Sequence, residues 1–299
     1  MRSTDVVTAS LPVLRPLPLR VSILLFAGSS LMFFLFLYFV LPRLWGSAVS
    51  EFTTFNVVLV LPMVVLLVAS LVAYRLEGRD FQWSQFRDRF RLNFMTWRTW
   101  LWAIALAIFM YGGPYALPLS FALASAAVLT ECPAFFQRLR WMAWILLFML
   151  ASWLIWQCGS LFARIPLHAE PIYLRDFLGH FGPTDFMGIS LHGRWWIGIY
   201  YFVVLLVANV GGEEFWWRGY LLPRQELSHG AAAWLVHGSL WALFHLFFQW
   251  TLQDLTHMLP TCCALAFVAQ HRKNTWPGII AHTFGNSALL LQIFRGIPG

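Results

Sequence analysis

Apolar and polar positions alternate on the scale of whole helices in this chain, not of single residues. Uncharged runs cover 21–42, 52–74, 99–130, 141–162 and 195–212, and most polar residues fall between them. Each run reaches or approaches the ~20 residues that cross a bilayer as a helix. Hydrocarbon offers the backbone no hydrogen-bond partner, so such runs are expected to be helical. The run 99–130 is too long for one crossing and is interrupted at Gly112–Gly113–Pro114, which predicts a hairpin of two short helices. The last third adds four hydrophobic segments near 197–217, 231–249, 256–271 and 275–294. The sum is an all-α polytopic membrane protein with about eight or nine transmembrane helices. No solenoid or transporter-type repeat is visible.

Between Arg75 and Arg98, the most charged stretch, Trp83, Phe86, Phe90 and Phe94 recur at three- and four-residue spacing. That pattern predicts an amphipathic helix lying in the membrane interface near 81–94, acting as an anchor. Residues 1–20, with Pro12, Pro16 and Pro18, read as a short tail. The segment 163–194 reads as an outer loop whose His168, His180 and His192 are solvated surface. The chain divides into N-terminal helices, interfacial helix and outer loop over 1–194, and a catalytic core over 195–294.

Composition agrees with the pattern. Of 299 residues, 60% are hydrophobic and 11% charged, against about a quarter charged in a soluble domain. The formal charge of +7 is a topology signal, because Arg and Lys flank the apolar runs and no soluble basic face is available for nucleic acid. By the positive-inside rule the basic ends, and the N-terminus, face the cytoplasm across the inner (plasma) membrane. The first run is too long for a signal-peptide core and lacks an A-x-A exit, so it is expected to be a retained anchor. Cys132, Cys158, Cys262 and Cys263 form no C-x-x-C pair and read as small apolar side chains.

The anomaly is charge at membrane depth, where a central Glu or Arg costs roughly 2.5–3.5 kcal/mol. Gly211–Gly219 places Glu213, Glu214 and Arg218 in one apolar helix. Glu214 and Arg218 are four apart and share a face, which predicts an ion pair. Glu213 has Trp217 at that spacing and is left as the free carboxylate, suited to a general base. His237, His245 and His282 lie in later spans. Trp241 and His245 are four apart, as are His282 and Asn286, so each pair presents one interior face. His237 reads as a helix–helix hydrogen-bonding group.

At these residues the chain resembles the CAAX-protease and bacteriocin-processing (CPBP, or Abi) family, related to the type II CAAX prenyl endopeptidases. The family pattern is E-E-x-x-x-R, then F-x-x-x-H, then H-x-x-x-N. Here it reads Glu213–Glu214…Arg218, Trp241…His245 and His282…Asn286, with Trp replacing the usual Phe. The resemblance covers about 195–294. It implies an intramembrane endopeptidase acting on a membrane-tethered substrate, prenylated or otherwise lipid-modified. Glu213 and His245 would activate water, and His282 and Asn286 would stabilise the oxyanion. Glu214, Arg218 and Trp241 would support the site. A metal-free, glutamate-type reaction with no cofactor is favoured, while a His₂Glu zinc site at Glu213, His245 and His282 is stoichiometrically available. The alternatives are a proton-coupled transporter and a non-catalytic immunity or scaffold protein on the same fold.

Overall fold

Every long apolar run is helix in the computed structural model, which describes residues 13–298. Most of the tail expected over 1–20 lies outside the described residues. Five continuous helical stretches are long and apolar enough to cross a membrane: Leu19–Leu44, Glu51–Leu76, Trp97–Glu131, Phe135–Leu161 and Trp195–Phe248. Two of these fold back. The stretch from Trp97 to Glu131 breaks at a 3-10 turn over Gly113–Ala116, as the Gly-Gly-Pro interruption requires, into a hairpin of 16- and 15-residue helices. At 1.5 Å per residue each arm is about 24 Å long, short of the ~30 Å hydrocarbon core. The second reversal is at Gly230, whose φ of 56° is open to glycine at little cost. With Leu252–Arg272 and Trp276–Gly296, nine helical rods are present among the described residues.

The basic segments collect at one end of the bundle. There Arg91 pairs with Glu226, Arg272 with Glu131, and the Leu17 N–H donates to the Arg224 carbonyl. The segment 163–194 lies at the far end and is more ordered than a solvated loop. It contains a helix, Ile172–Gly179, and a two-residue antiparallel ladder, Asp185–Phe186 with Ile189–Ser190. His168 and His180 are bonded, not solvated. His168 Nε2 lies 2.8 Å from the Leu246 carbonyl and Nδ1 lies 3.2 Å from the Tyr38 hydroxyl. His180 Nδ1 lies 2.8 Å from Glu51 Oε2. Sequence spacing alone could not reveal these contacts, which join residues 78 to 130 positions apart.

The interfacial helix is also shorter than its aromatic pattern predicts, covering Trp83–Arg89. Its aromatic face is divided between two environments. Phe90 is buried and, with Phe86, stacks around Tyr74 and Phe215, whereas Trp83 and Phe94 are exposed. The reason is Arg89, whose side chain is fully buried. It is held by Glu77 at 2.6 and 2.7 Å and donates to the carbonyls of Gly219 and Tyr220. The segment is thus clamped to the helix carrying the acidic pair. Outside the spans, burial pushes the Glu77 carboxyl up. The hydrogen bond and charge of Arg89, with Arg79 and Arg224 beyond, outweigh that and hold it below the ordinary carboxylate range.

Candidate active site

The acidic helix, 195–229, is not a plain α-helix. It is π-wound over Val204–Gly211 and again over Phe215–Leu221, leaving Gly212–Glu214 as a short α-helical turn between them. A π segment carries i→i+5 bonds and shifts side chains off the 3.6-residue register, a feature frequent at functional sites. Gly212 lets this turn approach a neighbour closely. A Cβ there would stand 2.6 Å from the carbonyl oxygen of Met63 on the second helix.

Glu213, Glu214 and Arg218 are all buried. Arg218 Nη1 lies 3.0 Å from Glu214 Oε1, which is the ion pair expected from the i, i+4 spacing. Its alignment is poor, since none of the Arg218 nitrogens makes a directed hydrogen bond among the described residues. The π winding that begins at Phe215 accounts for this, because it displaces Arg218 from the stacked position a regular helix would give. The guanidinium instead lies over the Trp241 ring, 3.5 Å from its centroid. The distance and the missing hydrogen bond describe one arrangement, a close charge pair without the fork geometry of a strong one.

Glu214 has a second partner that the sequence does not reveal. His282 Nδ1 lies 2.9 Å from Glu214 Oε1, joining residues 68 apart. Gly278, one turn before His282, makes room for this carboxylate, as a Cβ there would meet Glu214 Oε2 at 2.5 Å.

Glu213 is held by a different group. Trp241 Nε1 donates to Glu213 Oε2 at 3.1 Å. Trp241 also supplies the carbonyl that lies 2.8 Å from His245 Nδ1. Its ring packs edge-on against both His245 and His282, at centroid distances of 5.0 and 5.7 Å. Trp241, expected only to support the site, is therefore the hub of the cluster. Because a carbonyl can only accept, His245 Nδ1 carries the hydrogen, and in neutral imidazole Nε2 then keeps its lone pair. His282, Arg218 and Glu214 all lie within electrostatic reach of Glu213. His245 is only half-buried, whereas Glu213, Glu214, Arg218 and His282 are buried.

Asn286, one turn past His282, donates from Nδ2 to Asn209 Oδ1 at 3.2 Å. Asn209 was missed by motif reading. The available signal was its position, four residues before Glu213 and alone as a polar residue in 202–210. His237 is fully buried with Nδ1 2.6 Å from Gln225 Oε1, the helix-to-helix hydrogen bond expected of it. Among the described residues no group of three His, Cys, Asp or Glu side chains is disposed to hold an ion.

Residues 194–288 match the model of the family described as Type II CAAX prenyl endopeptidase Rce1-like. The match takes in the last third of a multi-pass membrane protein and all three motifs, and the helices before it lie outside the match. No curated protein and no solved structure matches the chain.

Proposed function

Starting from a C-terminal segment that matches the Rce1-like endopeptidase family, we propose that this protein is an intramembrane endopeptidase that hydrolyses a peptide bond in a membrane-tethered substrate. The observation that carries the reading is the division of labour between the two adjacent glutamates. Glu214 is taken up by Arg218 and His282, while Glu213 accepts from the Trp241 N–H and joins no ion pair among the described residues. Adjacent acids in different environments are the usual way to set one aside for proton transfer.

In this mechanism a water lies between Glu213 and the free Nε2 of His245. As its oxygen bonds to the scissile carbonyl carbon, its proton passes to Glu213, which has one carboxylate oxygen steadied by the Trp241 N–H. The carbonyl oxygen takes up negative charge and accepts from Asn286 Nδ2–H and His282 Nε2–H. Donation from His282 requires its imidazolium form, since Nδ1–H is directed at Glu214, and the Glu214 carboxylate offsets that charge. Collapse of the tetrahedral intermediate breaks the C–N bond, and Glu213 returns the proton to the leaving amine. No step is routed through a metal. The substrate is membrane-tethered, prenylated or otherwise lipid-modified, and the basic end of the bundle faces the cytoplasm.

The test compares membrane-protein termini in cells carrying wild type or Glu213→Gln. A set of termini present only with wild type is expected, and it identifies the scissile bond. Identical termini in both strains would refute the assignment. Chelator treatment of the purified active protein is expected to leave cleavage unchanged, and a loss restored by zinc would replace this mechanism with a metal-dependent one.

A further inference from the structure

We infer that Asn209 is a substrate-binding residue, which holds Asn286 through its side-chain oxygen and donates its remaining N–H to the backbone carbonyl two residues from the scissile bond. The inference rests on the endopeptidase reading above and adds a backbone subsite to it.

Two polar contacts join the acidic helix to the last helix. The first is Glu214 with His282, and both side chains are buried. The second is Asn209 with Asn286, one turn along each helix, and both residues are only half-buried. A polar pair at membrane depth has a plain role as glue between helices, and the closed first contact fits it. The second differs because its unused groups are N–H donors on a half-buried side chain, whereas the first leaves unused a buried carboxylate oxygen, Glu214 Oε2. A carboxamide has two N–H donors and one carbonyl acceptor. With Asn286 donating to Asn209 Oδ1, both N–H groups of Asn209 remain. If the two amides are turned the other way, Asn209 donates once to Asn286 and one N–H still remains. Either arrangement leaves Asn209, a half-buried side chain, a donor without a partner among the described residues.

Spacing says what that donor reaches. Asn209 precedes Glu213 by four residues, at most about 6 Å along the axis, because its π-wound segment rises less per residue than the 1.5 Å of an α-helix. An extended peptide repeats its carbonyls on one side every two residues, about 6.6 Å apart. A substrate strand with its scissile carbonyl against Asn286 and His282 therefore brings the carbonyl two residues away to Asn209. The strand runs from the acidic pair toward the far end of the bundle. An extended peptide inside hydrocarbon must have its backbone groups satisfied by the protein, which gives this donor its use.

The experiment takes the substrate terminus identified by the Glu213→Gln comparison. It follows cleavage of the corresponding synthetic peptide by purified full-length protein, wild type and Asn209→Leu. A second peptide carries a thioamide, a weaker acceptor, in place of the carbonyl two residues from the scissile bond. With wild type, the thioamide is expected to reduce kcat/KM several-fold, chiefly through KM. Asn209→Leu is expected to lose about tenfold on the normal peptide and to be insensitive to the thioamide, with its melting temperature unchanged. Equal thioamide sensitivity in both proteins would overturn the inference and leave the endopeptidase reading standing. Unchanged termini with Glu213→Gln would remove both together.

Discussion

The indole N–H of Trp241 donates to Glu213 Oε2 across 3.1 Å, so the position where the related family usually carries phenylalanine here hydrogen-bonds the candidate base. A phenylalanine ring would keep the wall between His245 and His282 and lose this bond. Trp241→Phe is expected to lower kcat about tenfold, the worth of one hydrogen bond, with KM close to wild type and the melting temperature lowered by the smaller buried ring. Steady-state kinetics on the identified substrate checks this. An unchanged kcat would mean that the bond is incidental to the reaction.

Arg218 and Glu214 share a site with no exposed side-chain surface. Arg218→Ala strands Glu214 with His282 as its remaining partner, and breaking a buried pair costs about 3–5 kcal/mol. The expected outcome is a lower folded yield and a lower melting temperature in detergent. Glu213→Gln, by contrast, removes no ion pair and should melt near wild type. Size-exclusion profiles and thermal unfolding of the two variants separate them directly.

Much of this was legible from residues alone. The apolar runs, the break at Gly112–Pro114, the acidic pair with Arg218, and the two i, i+4 motifs all depend on local periodicity, which the hydrocarbon environment enforces. Most of the features that escaped share one of two causes. Contacts such as Glu214 with His282, His168 with Leu246, and Asn209 with Asn286 join distant positions, and a single sequence carries no register between helices. The π winding around Glu213 breaks the 100° rule used to assign faces, so the predicted Glu214–Arg218 pair forms with weaker geometry than that rule implies. The aromatic stripe 83–94 misled for a third reason. A buried Arg89 draws part of the stripe into the protein, and an arginine next to aromatic residues looks interfacial until its partner is seen.

Glu77 and Arg89 provide a pH test outside the spans. The folded carboxyl titrates below its ordinary range, so its contribution to stability is complete above the unfolded pKa of about 4.3. It is lost as pH falls through the lower folded value. Glu77→Gln is therefore expected to melt below wild type at pH 7, and the gap should close as the pH is taken below about 4. Parallel melting curves from pH 7 to 3 measure that gap. A constant difference over the range would show that the pair's charge is not what stabilises the clamp.

Gly238 marks the closest approach between the His245 helix and its neighbour, since a Cβ there would stand 2.5 Å from Cys263 Cα. The contact is with backbone, which cannot move aside as a flexible side chain can. Gly238→Ala should thus lower the melting temperature by several degrees, consistent with overpacking costs of about 1–3 kcal/mol. Gly28→Ala, where a Cβ meets nothing within 4 Å, is expected to be neutral in the same assay.

The wide turns on either side of the acidic pair have a consequence for how such a site tolerates change in length. A π turn amounts to a helix with one residue too many, looped out and absorbed locally. Deleting a single residue from 204–211 would let the coil tighten toward the α form, keep the helix before it nearly in phase, and turn the residues inside the segment relative to Glu213. Asn209 would leave its companion on the last helix, while the carboxylates stayed seated by their own neighbours. Surplus residues here act as a phase adjuster, setting the angular offset between the part of the helix that grips and the part that reacts.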